Sequence, residues 1–335
     1  VRVRLQSDVP LGAFLSGGAD SSAIVALMSQ AGTRVKTFSI GFKDPRYNEL
    51  PYARLVANKY RTEHHEFVVD PDVLKLAPTL AWHYGEPYAD SSALPTYQLA
   101  QLAKPHITVA LNGDGGDEAF AGYRRYRSHW LAAKYWKLPE SIRGSFATIA
   151  SILPTGSDSR GSLYDVKRFF GASNLPPYAQ YASWFGFFGA RRSELNPAFA
   201  DMTDRAALYD LERAFTSSAA LHPVDAAIAA DVSLYLPDDL LVKVDIATMA
   251  HGVEARSPLL DHTLMEFAAK LPISLKVRLF HGKHLLRRAC RDLVPDEILT
   301  RRKTGFAIPL DHWLRGDLGT AIRERLIAPA SKVTD

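Results

Sequence analysis

The residues Leu11-Gly-Ala-Phe-Leu15 form an apolar run that leads into Ser16-Gly17-Gly18-Ala19-Asp20-Ser21-Ser22, and a second apolar run follows. Two successive glycines turn the chain sharply and let backbone N–H groups approach a ligand. A helix opening at Asp20 would add unpaired N–H groups and the positive end of its dipole. The chemistry this suits is the holding of a phosphate group. A bare Gly-Gly pair would be only a capped connector, and the hydroxyls and carboxylate packed behind this one point beyond that. Further along, Asn112-Gly-Asp-Gly-Gly-Asp-Glu118 sets three glycines around Asp114, Asp117 and Glu118. Such a loop could bring carboxylates to an oxygen-seeking Mg²⁺ shared with phosphate, or could be an acidic turn capping the next helix.

Both loops need a scaffold, and the N-terminal third supplies one. Strands are expected before Ser16 and at Val35–Phe42, Glu63–Val69 and Ile107–Leu111. Helices are expected from Asp20 to Gln30, Glu49 to Tyr60, Asp72 to Tyr84 and Leu94 to Ala103. This alternation implies an α/β fold: a parallel sheet with helices on both faces, and ligands at the carboxyl ends of the strands. The two glycine loops would then emerge at the same edge. From about Tyr126 the alternation stops. A mainly helical C-terminal part follows, with aromatic runs such as Phe185-Gly-Phe-Phe188, a helical block from Ala226 to about Leu271 and a closing block from Gly282 to Leu314. The expected division is residues 1–125 for the α/β core and 126–335 for a helical part folding back over the active-site edge.

Composition narrows the class. The chain has 335 residues, 47% hydrophobic and 23% charged, with a formal net charge of +4. Lysines and arginines are interspersed with acidic residues, so no nucleic-acid partner is expected. No apolar run reaches the ~20 residues that span a bilayer and no signal-peptide core precedes the first strand, so the expected setting is cytoplasmic, without a membrane. The single cysteine, Cys290, excludes an intrachain disulfide, and its place on an apolar helical face from His284 to Leu293 reads as a buried thiol. Leu15-Ser16-Gly17-Gly18 shares four letters with the signature of transporter ATPases, but the chain has no G-x-x-x-x-G-K-[ST] loop upstream.

Ser16–Ser22 resembles the pyrophosphate loop, SGGxDSS, of the N-type ATP pyrophosphatases, which cut ATP between its α and β phosphates. The second loop resembles the GxGGDE signature of asparagine synthetases and their β-lactam synthetase relatives. Leu236-Pro-Asp-Asp-Leu-Leu-Val-Lys-Val-Asp245 with Met249–Asp261, Gly282-Lys-His-Leu-Leu-Arg287 and Arg301-Arg-Lys-Thr-Gly-Phe-Ala-Ile-Pro309 carry the likeness through the rest of the chain. It implies an adenine nucleotide alpha-hydrolase-like fold, with ATP as substrate and Mg²⁺ as cofactor. By position, Leu15, Ser16, Gly17, Gly18, Asp20, Ser21, Ser22 and Gly113 would hold ATP and pyrophosphate, with the adenine against the main chain of Ser39-Ile40-Gly41. Asp20 and Asp117 would be Mg²⁺ ligands, and Lys283 would act on the reacting phosphates.

Asp114, where many relatives have Glu, would lie in the substrate pocket with a catalytic role, alongside Asp238 and Asp239 for an ammonium group and Lys243 for a carboxylate. Glu254 and Arg256 could touch ligand or form a buried structural pair. The implied reaction is adenylation of the aspartate side chain, or of a similar acid, followed by attack of ammonia to give asparagine and AMP. A related ligase that closes a β-lactam or amidates a sugar acid, and a noncatalytic nucleotide-binding regulator, are the alternatives. The chain begins fifteen residues before the first loop. It is therefore expected to be a synthetase domain lacking the N-terminal glutaminase domain of glutamine-dependent relatives, and the likeness leaves room for a homodimer.

Overall fold

The computed structural model describes residues 1–32, 34–86, 88–139, 141–143, 146, 148, 162–172, 175–185, 208–218, 222–278, 281–301 and 308–327. The aromatic run at 186–188, residues 302–307 and residues 328–335 lie outside them. Two compact units divide the chain. One comprises Val1–Asp114, Asp239–Leu259 and Ala289–Asp335; the other comprises Gly115–Asp238 and Leu260–Arg288.

The first unit is built on five strands: β1 (Leu11–Phe14), β2 (Lys36–Phe42), β3 (Glu63–Val69), β4 (Val109–Leu111) and β5 (Glu254–Arg256). They pair in the order β3-β2-β1-β4-β5 and every pairing is parallel, with Gly12 opposite Lys36 and Ala110, and Ala110 opposite Ala255. The central strands bury both faces, which is why β1 and β4 read as unbroken apolar runs. Helices α1 (Ala19–Gln30), α2 (Leu50–Tyr60), α3 (Val73–Tyr84) and α4 (Ala93–Ala103) surround the sheet. Helix α1 packs on α2, and α4 packs on α3 and on the helix Val242–Met249. Phe38, Ile40, Leu99, Ala103, Ile107, Ala110 and Val253 form a buried core between strands and helices.

Topology decides where a ligand can sit. From β1 the chain passes through α1 to β2 and through α2 to β3, then returns by α3 and α4 to β4 on the other side of β1. The connections diverge between β1 and β4, which opens a crevice at the carboxyl ends of those two strands. Both glycine loops leave the sheet there.

The second unit is helical. It includes α5 (Gly116–Phe120), α6 (Arg124–Tyr135) and the helices Pro177–Phe185 and Pro223–Ala230, whose Tyr126, Tyr181, Val224, Ala227 and Ile228 share a core. The helical block expected from Ala226 to Leu271 is not continuous. It runs as Pro223–Ala230, a π-helix over Asp231–Leu241, the α-helix Val242–Met249, strand β5 and then the helix His262–Ala269. Pro237 lies inside the π-helix, where it cannot donate an N–H to a regular ladder. Gly252, at φ +62, makes the turn that starts β5. A strand of three residues with a charge at each end, Glu254-Ala-Arg256, carries no apolar run for its sequence to announce it. Among the described residues no helix is long and apolar enough to cross a membrane.

Candidate active site

Leu15 N donates to Phe38 O at 2.9 Å, so the chain is still tied to β2 as it leaves β1. Gly17 has φ +70, and a Cβ there would lie 2.7 Å from both Tyr52 Cβ and Ala53 N. Conformation and space therefore each require glycine. Gly18, in extended conformation, is the N-cap of α1, and Asp20 sits in the first turn. Ser16 N donates to Ser21 Oγ at 3.2 Å, the Ser16 and Ser21 hydroxyls are 3.0 Å apart, and Ser21 Oγ donates to Gly18 O at 3.3 Å. These bonds hold the loop closed on itself around the helix N-terminus. Ser22 is fully buried, and its Oγ has no hydrogen-bond partner among the described residues.

The second loop meets the first. A Cβ on Gly113 would lie 2.6 Å from Ser21 N and 3.0 Å from Asp20 Cβ, so the chain after β4 runs directly against the first turn of α1. Asn112 Oδ1 accepts from Asp114 N at 3.3 Å and from Ser257 Oγ at 2.7 Å, which fixes the turn that presents Asp114. On the neighbouring strand, buried Ser39 donates its Oγ to Leu15 O at 2.5 Å. Ile40 packs in the core, and a Cβ on Gly41 would meet Asn48 Oδ1 at 2.5 Å. The side chains of Ser39 and Ile40 are thus occupied by the fold, and main-chain groups are what this strand can offer a ligand.

A polar cluster of the same unit contains two other predicted residues. Lys243 Nζ lies 2.8 Å from Asp90 Oδ2, and Asp90 Oδ1 accepts from Ser92 N and Oγ at 2.8 and 2.7 Å. Burial pushes the Asp90 carboxyl up, but the Lys243 ammonium and the Ser92 bonds outweigh it and hold the group below its ordinary range. Tyr88 donates its hydroxyl to Asp239 Oδ1 at 2.5 Å, and Tyr84 donates to Lys243 O at 2.9 Å. The two rings stack 4.2 Å apart. Lys243 therefore faces a carboxylate of the protein itself, where the sequence reading directed it toward a substrate. Asp238 and Asp239 come from the C-terminal turn of the π-helix.

In the second unit Lys283 is 4% exposed, and its Nζ lies 2.7 Å from Asp117 Oδ1. Its backbone is in the left-handed region, at φ +56, which a lysine occupies only when its surroundings impose it. Lys283 N donates to Phe120 O at 3.0 Å. A Cβ on Gly282 would strike the Ala121 carbonyl, and one on Gly122 would strike Asp117 Oδ1 and Lys283 Cε. Two glycines thus let two turns interlock so that the ammonium reaches Asp117. Glu118, 1% exposed, accepts from Tyr123 Oη at 2.6 Å. Burial, with the Asp117 charge next, pushes its carboxyl up to about 7. Glu118 is thereby a buried partner of Tyr123, not the third open carboxylate that the loop sequence suggested.

Two further expectations need correction. Glu254 and Arg256 do pair, at 2.6 Å, but the Glu254 side chain is 55% exposed, because the two residues lie on one face of β5. Arg256 also donates to the carbonyls of Arg4 and Gln6, which makes it a clamp on the N-terminal segment. Cys290 is buried as expected, but the helix ends at Ala289, so the thiol sits just beyond it. Burial, then the Asp20 charge, pushes that thiol up to about 11. The residues that sequence reasoning missed are Gly122, Tyr123, Tyr88 and Tyr84. The dense Ala121-Gly-Tyr-Arg-Arg-Tyr126 run hinted at the first two only.

Among the described residues no three His, Cys, Asp or Glu side chains cluster in a way that could hold a metal. Asp20 and Asp117 are hard oxygen donors, the kind that Mg²⁺ takes alongside phosphate oxygens in place of an all-protein cage. Asp20 in the first unit and Asp117 in the second each have donor chemistry that suits Mg²⁺.

A parallel five-stranded sheet wrapped by helices, with a glycine-serine loop at its switch point, defines an α/β protein of the doubly wound type. The family model described as asparagine synthase matches residues 1–334, and the chain belongs to that family. It is 32% identical over 329 residues to asparagine synthetase [glutamine-hydrolyzing] 1 of Bacillus subtilis, covering 96% of this chain and 50% of the relative. It is 34% identical over 322 residues to a putative asparagine synthetase [glutamine-hydrolyzing] of Mycobacterium bovis, covering 94% of this chain and 47% of the relative. A relative called amidase chry2, from Gibberella zeae, is 26% identical over 362 residues. The chain spans about half the length of the curated relatives it matches.

Proposed function

We propose that this chain is an AMP-forming synthetase that activates the side-chain carboxylate of aspartate with ATP and passes the acyl group to ammonia. The observation that carries the reading is the contact of the two glycine loops, Gly113 against Ser21 N and Asp20, at the switch point of the sheet. A carboxylate does not accept an amine directly, because oxide is too poor a leaving group. In the proposed first step an oxygen of the acid attacks the α-phosphorus, the bond to the β-phosphate oxygen breaks, and pyrophosphate leaves into the Ser16–Ser22 loop. The N–H groups at the start of α1 and the Ser16 and Ser21 hydroxyls receive its negative charge. In the second step ammonia adds to the acyl carbon, a proton is lost, and AMP leaves as the amide forms.

Lys283 would stabilise charge developing on the phosphates as a point charge, and its pairing with Asp117 prepares it for that role. Asp20 and Asp117 would hold Mg²⁺, which supplies charge neutralisation to the phosphate oxygens when bound. Asp114, Asp238 and Asp239 are assigned to the acid substrate. Lys243 enters this reading through Asp90, which it keeps ionised. A glutaminase partner segment as nitrogen source is proposed from the names of the relatives. The test is isotope exchange between pyrophosphate and ATP in the presence of aspartate, with a panel of other carboxylic acids beside it. Aspartate-dependent exchange is expected. Exchange supported only by another acid would move the assignment to a related ligase, and exchange with none would favour a nucleotide-binding regulator.

A further inference from the structure

Buried charge in the second unit converges on one guanidinium. Arg125 donates Nη2 and Nε to Asp231 Oδ2 at 2.8 and 3.2 Å. The same carboxylate accepts the hydroxyls of Tyr126 and Tyr181. The guanidinium also lies 3.9 Å from the centroid of the Tyr123 ring and 4.8 Å from that of Tyr235. Neutralising one aspartate needs far less than this. A planar cation stacked on rings and forked onto a carboxylate is a device for fixing orientation.

The group it orients is Tyr123. That hydroxyl donates to Glu118 at 2.6 Å, and Glu118 directly follows Asp117, the partner of Lys283. On its other side Tyr123 follows Gly122, whose missing Cβ is what admits Lys283 to Asp117. One ring therefore borders both halves of the turn that holds the ammonium. Asp231 also opens the π-helix that leads to Asp238, so the same guanidinium anchors the start of that segment.

We infer that Arg125 is a positioning residue that acts through Tyr123 to hold the Asp117–Glu118 turn, and with it the Lys283 ammonium, in place for phosphate chemistry. The inference rests on the nucleotide reading for its catalytic half, and on geometry alone for its positional half. Tyr123→Phe removes the bond to Glu118 and keeps the ring under Arg125. Arg125→Lys keeps the charge beside Asp231 and removes the planar stack. Asp225→Asn, which breaks the buried pair with Lys276 elsewhere in the unit, is the control.

Two readouts separate positioning from general stability. The first is labelling of lysines by an amine-reactive acyl ester, followed by mass spectrometry. Lys283 should react far more slowly than Lys75, whose side chain is 85% exposed. In Tyr123→Phe and Arg125→Lys it should react about tenfold faster, and in Asp225→Asn no faster than in the parent chain. The second is pyrophosphate exchange, where both variants should lose about tenfold in kcat with KM for ATP within about twofold, and the double variant should be no worse than the poorer single. Unchanged labelling of Lys283 in both variants would overturn the inference. So would faster labelling with an unchanged kcat, or losses that simply follow the thermal midpoint across all three variants. Absence of exchange in the parent chain would defeat the nucleotide reading instead, and the labelling would still decide whether Arg125 positions Lys283.

Discussion

Gly122→Ala puts one methyl group where the fold has left room for none. Its Cβ would land on Asp117 Oδ1 and on Lys283 Cε, so either the turn moves or the ion pair opens. The two side chains are 5% and 17% exposed, so the pair is shielded but retains a route to water on the aspartate side. Overpacking by a methyl costs about 1–3 kcal/mol, and separating a buried pair costs about 3–5 kcal/mol. Because Asp117 can recover some hydration, the expected loss is about 3 kcal/mol. Gly85→Ala is the comparison: that residue has φ +70 but nothing within 4 Å of its Cβ position, so it isolates backbone strain at about 1–2 kcal/mol.

Urea unfolding of both variants measures these losses, and pyrophosphate exchange reads the consequence for Lys283. Adding Lys283→Ala to Gly122→Ala removes one of the two colliding groups. The double variant should therefore be more stable than the sum of the single losses predicts, by about 1 kcal/mol or more. A Gly122→Ala protein within about 0.5 kcal/mol of the parent chain, with normal exchange, would refute the claim that this glycine exists to admit the lysine.

Asp20→Asn and Asp117→Asn should each abolish exchange while circular dichroism stays native, since an Mg²⁺ site with so few protein ligands tolerates loss of one charge poorly. Near-normal exchange in either folded variant would remove the metal assignment. Lys283→Ala should lower turnover about a hundredfold or more while ATP affinity changes little, as expected of a group that acts on charge developing in the transition state. Stability should also fall below about pH 6.5 through His129, which is buried and whose imidazole is pushed down to about 3 by burial and then by the Arg125 and His222 charges. The unfolded chain binds a proton there that the folded chain refuses, so the loss grows as pH falls and reaches about 2 kcal/mol at pH 5. His129→Phe should remove that part of the slope, and an unchanged slope would count against the buried neutral imidazole.

What the sequence made legible and what it hid follow one division. Gly17, Gly18 and Gly113 stand between strands and helices of strong, simple pattern, so the local rules for turns and helix starts located the cradle. The four N-terminal strands were readable for the same reason, because β1, β2 and β4 bury both faces and Gly, Asn and Asp punctuate their ends. Pairings between distant residues were not. Lys243 meets Asp90 across 153 positions of sequence, and Arg256 reaches the carbonyls of Arg4 and Gln6 across 252 and 250. No local pattern encodes such contacts. Strand β5 was hidden because Glu254-Ala-Arg256 is short and charged, unlike the equally short but apolar β4, and the π-helix because its wider turn breaks the 3.6-residue repeat that reveals an α-helix. Lys283 stood out only through its likeness to a family segment, since a left-handed backbone and two facing glycines are visible only in three dimensions.

The fate of ATP is the most direct test of adenylation by this chain. The chain, incubated with ATP, Mg²⁺, aspartate and an ammonium salt, should yield AMP, pyrophosphate and asparagine in equal amounts. Release of ADP and phosphate in place of AMP and pyrophosphate would contradict adenylation at the Ser16–Ser22 loop.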